Sequence, residues 1–132
     1  MILVDTNYFL RYLLKDIDDQ YLQAKRLFLE ASKGKIKLIS STIVFFEIYW
    51  VLVSYYEKSK AELCISLKKL LEFTFIIFEE RVILEKTLLI FEKVNLSLED
   101  CYNLIYARSK KADSLATFDQ KLSNKFKEME NS

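Results

Sequence analysis

Apolar residues in this chain fall into two rhythms, and each predicts a different element. Short runs rich in branched and aromatic residues read as buried strands: ILV at Ile2 to Val4, Ile36 to Ile39, FIIF at Phe75 to Phe78, and DSLAT at Asp113 to Thr117. Between them the apolar positions recur at helical spacing. Tyr8 to Leu14 reads as a short helix, and Asp18 to Ser32 as a longer one on which Tyr21, Leu22, Ala24, Leu27, Phe28 and Ala31 share a face. Lys33-Gly34-Lys35 ends that helix with a glycine C-cap. Ser40, Ser41 and Thr42 offer N-caps to a strongly apolar helix running to about Tyr56, and further helices are expected over about Ser59 to Phe73 and Glu80 to Val94. Ser97 caps the next helix, with Asp100 three residues on as an acidic variant of the capping box. The polar tail KFKEMENS is expected to fray.

Strands alternating with helices imply a mostly parallel sheet covered on both faces. Neither a repeat nor a linker interrupts the pattern, so residues 1–132 read as a single domain, long enough to bury one core. Apolar residues make up 52% of the chain, which argues against disorder. The net charge of +1 argues against a polyanion binder held by bulk charge, so any nucleic acid needs a local patch. Cys64 and Cys101 have neither disulfide-framework nor zinc spacing, and a reduced compartment is the simplest reading. Ile43 to Val53 is too short to span a bilayer and carries Glu47, and Asp5 interrupts any leader, so a cytoplasmic protein without a membrane span is expected.

Histidine is absent, which removes imidazole acid–base chemistry and histidine–metal sites. Any metal must therefore be a hard ion held by oxygen. Four carboxylates stand out: Asp5 closing the first strand, Glu47 inside the most apolar helix, Asp100 in a first helical turn, and Asp119 just past the fourth strand. Each has a structural reading. Asp5, Asp100 and Asp119 are good caps, and Glu47 can lie on a solvated stripe. Taken together, acids at two strand ends and on two adjoining helix faces suggest an acidic pocket whose repulsion calls for magnesium or manganese.

The motifs VDTNYFLRYLL (Val4 to Leu14), FFEIYWVL around Glu47, LEDCYNLIYA (Leu98 to Ala107) and LATFDQKL (Leu115 to Leu122) give the sequence its resemblance to the PIN domain family, and within it to the small VapC-type toxin ribonucleases. Order and spacing match across nearly the whole chain. The resemblance implies a three-layer α/β/α fold with a central, mostly parallel sheet of four or five strands. It also implies an endoribonuclease that cleaves RNA by metal-assisted hydrolysis with Mg2+ or Mn2+, acting as the toxin of a type II toxin–antitoxin pair. Asp5, Glu47, Asp100 and Asp119 would bind the metal, Asp5 and Asp100 most directly. Thr6, Asn7 and Thr117 would orient carboxylates or water, and Asn103, one turn after Asp100, would share its face.

The chain departs from the family pattern at Cys101, where alanine is usual, and in KKADSLATFD, which lacks the usual glycine. The edge strand that often ends these domains is expected to be shortened or absent. Arg11, Lys15, Arg108, Lys110, Lys111, Lys121 and Lys125 are candidates for holding the RNA backbone, although each is equally an ordinary solvated cation. The aromatics fall mostly at core spacing. The apolar excess between Ile43 and Phe73 suggests a homodimer face and a groove for an antitoxin segment. A dehalogenase-type phosphatase would need a second aspartate where Asn7 stands, a receiver domain a late strand-end lysine, and a flap-type nuclease a longer chain. From a different class, the competing reading is a catalytically silent PIN-like RNA-binding or scaffold module.

Overall fold

Three of the apolar runs become strands in the computed structural model, which describes residues 1–131. β1 (Ile2–Leu3), β2 (Leu38–Ser40) and β3 (Ile76–Phe78) lie in the order β1-β2-β3 and pair in parallel, with Ile2 opposite Leu38 and Leu38 opposite Ile76. Parallel neighbours need a crossover between them. The chain supplies α1 (Thr6–Leu14) and α2 (Asp18–Ser32) for the first, α3 (Thr42–Ser54) and α4 (Lys60–Leu71) for the second. The fold is thus α/β with a parallel sheet, of the α/β/α type. Two compact units can be distinguished, Met1–Arg81 and the residues from Val82 onward.

In the first unit Leu38 and Ile76 are fully buried, whereas Leu3 and Ile77 on the alternate row are 60% and 46% exposed. Helices α1 and α2 close over the buried row through aromatic packing: Phe9 meets Phe28 at 5.6 Å, and Phe28 meets Tyr12 at 5.2 Å and Phe73 at 5.7 Å between ring centroids. Core spacing therefore does describe these aromatics. The second unit contains α5 (Arg81–Lys93) from Val82 on, α6 (Leu98–Ser109) and α7 (Gln120–Glu130). Leu104, Leu122 and Phe126 form a cluster there, joined by Leu96, Ala107, Leu115 and Met129.

Local chemistry sets the helix ends. Gly34 takes φ +78, which lets its N–H reach Ala31 O and that of Lys35 reach Glu30 O at the end of α2. Ser41 caps α3 by accepting from Val44 N, and Ser59 and Glu62 form a reciprocal capping box on α4. Ser40, offered as a cap, is instead the last residue of β2, and its hydroxyl donates to Val4 O at 2.9 Å. Arg81 has no counterpart in the expectations. Its guanidinium donates to Leu71 O, Phe73 O and Ile76 O and stacks over Phe78, tying the carbonyls after α4 to β3.

Two expectations are corrected. The sheet has three strands among the described residues, not four or five, because DSLAT forms no strand. Leu115 packs instead against the Leu104–Leu122–Phe126 cluster, leaving only Ala116 apolar in a segment too polar for a buried ladder. The tail does not fray from Lys125, since α7 runs to Glu130 with Phe126 buried in that cluster. Only Ser132, the end of the expected tail, lies outside the described residues. Among these residues no helix is long and apolar enough to cross a membrane.

Candidate active site

The first acid is placed by a run of backbone bonds. Val4, buried at 1% exposure, donates its N–H to Ile39 O and accepts the Ser40 hydroxyl, so the chain leaves β1 in a fixed direction. Asp5 follows as the N-cap of α1, its Oδ1 accepting from Thr6 N at 2.8 Å. The helix consequently starts at Thr6, two residues before the apolar spacing implied. Thr6 is 7% exposed, and its hydroxyl donates to Glu47 Oε2 at 2.8 Å, a contact between residues 41 apart in sequence.

Glu47 sits half-buried on α3 between the buried side chains of Phe46 and Ile48. A hydroxyl, rather than a basic residue, meets its carboxylate. Asp5 and Glu47 thus bond to the same residue, Asp5 accepting from the Thr6 backbone N–H and Glu47 from the Thr6 hydroxyl. Among the described residues Asp5 Oδ2 and Glu47 Oε1 accept no protein hydrogen bond, which leaves each acid one open oxygen. Paired carboxylates with open oxygens are the donor set a hard divalent ion requires.

Next along α1, Asn7, Tyr8 and Arg11 face Gln20 and Gln23 of α2 across a cavity of about 240 Å3. Arg11 is held there, donating to Asp16 at 3.2 Å and to the Tyr56 hydroxyl at 3.4 Å. No motif marks Gln20 and Gln23 as partners of this wall, since only the packing of α1 on α2 brings them opposite it. Lys15, at the αL C-cap of α1, lies 5.7 Å from the Tyr21 ring centre.

In the second unit Asp100 is half-buried in the first turn of α6, with its N–H donated to Ser97 Oγ at 3.1 Å. The N-terminal end of the helix favours the acid there. The buried Leu98 and Cys101 fix the inner face of α6, and Asn103, three residues after Asp100, is exposed. Asp119 is the exposed N-cap of α7, accepting from Leu122 N at 3.0 Å, while Thr117 Oγ1 accepts the Asp119 N–H at 3.0 Å. Capping uses one carboxylate oxygen and leaves the other open to a second role. Arg108, Lys110 and Lys111 are exposed at the end of α6, with Lys110 over the Tyr106 ring. Among the described residues no group of three or more His, Cys, Asp or Glu side chains is arranged to hold a metal ion.

The model of one protein family, the PIN domain, matches residues 2–127. No curated protein and no solved structure matches the chain. PIN domains are in general nucleases and typically work with divalent metal ions. A match over nearly the full length, on an α/β chain whose first strand delivers an acid bonded to the Thr6 that holds Glu47, places this protein in the PIN domain family.

Proposed function

We propose that the protein is an endoribonuclease of the VapC type, dependent on Mg2+ or Mn2+, and that it is the toxin of a type II toxin–antitoxin pair. The observation that carries the catalytic reading is the Thr6 hydroxyl bonded to Glu47 beside the Asp5 cap. Two acids bond to one residue through neutral hydroxyl and amide donors, and among the described residues neither makes an ion pair with a basic side chain. Such a pair is built for a cation supplied from outside. Asp5 and Glu47, with Asp100 and Asp119, are the acids we assign to the ion, and Thr6, Asn7, Asn103 and Thr117 the polar groups that orient them. When bound, a divalent ion supplies Lewis acidity toward the phosphodiester and the attacking water.

The chain's own residues then set the geometry. Thr6 fixes one rotamer of Glu47, and the α1 cap fixes Asp5. Carboxylates and water carry the protons, because no histidine is present. Arg11, Lys15, Arg108, Lys110 and Lys111 are assigned to the RNA backbone. We further propose that residues 1–132 act as one functional domain, as a homodimer in the cytoplasm with a protein antitoxin. The dimer reading is supported by a stripe along α3, where Ile43, Trp50 and Val53 are 55%, 40% and 37% exposed, with Ile65 of α4 70% exposed.

The test is cleavage of a mixed RNA pool by purified protein with Mg2+, Mn2+ or EDTA, beside Asp5→Asn. Asparagine still caps α1, so the variant folds and isolates the charge. Cleavage that needs the ion and disappears in Asp5→Asn supports the proposal. A folded, antitoxin-free preparation that cuts nothing under either ion points to the silent binding module.

A further inference from the structure

The cavity between α1 and α2 has the chemistry of a base-reading site. Its lining combines three amide side chains, Asn7, Gln20 and Gln23, with the Tyr8 ring and the Arg11 guanidinium. Helical spacing puts them together: Asn7 and Arg11 are one turn apart on α1, and Gln20 and Gln23 one turn apart on α2. Asn, Gln and Arg are the side chains that read base edges, because amides present a donor beside an acceptor and a guanidinium presents a fork of donors. Tyr8 is 40% exposed, which leaves a ring face for stacking. At about 240 Å3 the space suits one planar ring system rather than a large cofactor.

Two further facts favour a binding role over a merely solvated groove. Arg11 is immobilised before any ligand arrives: its side chain is only 15% exposed, and Asp16 and the Tyr56 hydroxyl hold it. Preorganised groups lose less entropy on binding. The lining also begins one residue along α1 from Thr6, since Asn7 directly follows the residue that bonds Glu47.

We propose that the α1–α2 cavity receives one unstacked base of single-stranded RNA, next to the cut phosphate, and sets the sequence preference of cleavage. Tyr8 stacks on the base and Gln20 and Gln23 hydrogen-bond its edge. This inference rests on the nuclease reading for its biological use, but its binding step is independent of cleavage.

The test uses the four RNA homotetramers, titrated into the protein in EDTA and followed by NMR. Wild type is compared with Tyr8→Ala and with the double variant Gln20→Ala/Gln23→Ala, whose two positions are exposed. One tetramer is expected to bind best, and each variant to weaken it about tenfold. With Mn2+ present, the double variant is expected to lose the preference at one position beside the cut. Equal binding of all four tetramers, or unchanged binding and an unchanged cleavage map in the variants, overturns the proposal. If RNA is still cut in that case, the nuclease reading stands. Selective binding lost in the variants of a protein that cuts no RNA keeps the base site and removes the nuclease reading.

Discussion

Replacing Thr6 by valine removes one hydroxyl and nearly nothing else. The side chain is 7% exposed and its Oγ1 donates to Glu47 Oε2 at 2.8 Å, so valine keeps the shape and deletes the donor. Hydrogen bonds to charged groups contribute about 1.5–3 kcal/mol. Glu47 is only half-buried and recovers water in the variant, so a loss of about 1 kcal/mol is expected in urea unfolding. The effect on activity is larger than the effect on stability. Losing the group that orients a metal-binding carboxylate lowers activity or metal affinity about 10–100-fold. The assay is RNA cleavage across a Mn2+ titration, with Thr6→Ser as the companion. Serine keeps the donor and loses a buried methyl, so it should retain most of the activity while costing about as much stability as valine. Wild-type cleavage and Mn2+ dependence in Thr6→Val, or equal losses in Ser and Val, would refute the positioning role.

Three further outcomes follow from the same geometry. Arg81→Met strands the carbonyls of Leu71, Phe73 and Ile76, and should destabilise the chain by about 3 kcal/mol in urea unfolding, where an unmoved midpoint contradicts the assignment. The Ser59 backbone N–H, foremost, and then its hydroxyl hold the Glu62 carboxyl below its ordinary value of 4.5. The folded pKa is depressed, so the contribution of the cap is present above 4.5 and fades as pH falls through the folded midpoint. NMR titration of Ser59→Ala, which removes the hydroxyl and keeps the backbone N–H, should return that midpoint part of the way toward 4.5, and an unchanged midpoint contradicts the hydroxyl's share. Asp119→Asn should keep the cap on Leu122 N and stay within about 0.5 kcal/mol of wild type, whereas Asp119→Ala loses about 1 kcal/mol. Both should lose cleavage, and full activity in Asp119→Asn would leave that residue a cap alone.

What the sequence made legible was what local chemistry decides. Asp18 to Ser32 matches α2 end for end, because its apolar face and Gly34 are both local signals. Ser97 was a readable cap for the same reason. DSLAT misled because a short apolar dipeptide fits a strand and a loop equally, and the choice fell to Leu115 finding a helical cluster elsewhere in the chain. Phe126 was hidden by its polar neighbours, though its one-turn spacing from Leu122 was the available clue. Asp5 and Glu47 were recognisable as misplaced acids, but the hydroxyl that joins them was not, since Thr6 and Glu47 are 41 residues apart. Arg81 was equally hidden, because the carbonyls it collects become neighbours only after α4 and β3 fold.

The most direct measurement is cleavage of mixed RNA by wild type and Glu47→Gln, each with Mn2+ and with EDTA, after matched folding checks. Glutamine preserves one oxygen for the Thr6 hydroxyl and replaces the other, with the charge, by an amide NH2. The account predicts cleavage by wild type with Mn2+ alone and none by Glu47→Gln under either condition. Equal cleavage by the two proteins, or cleavage by wild type that EDTA does not abolish, would contradict it.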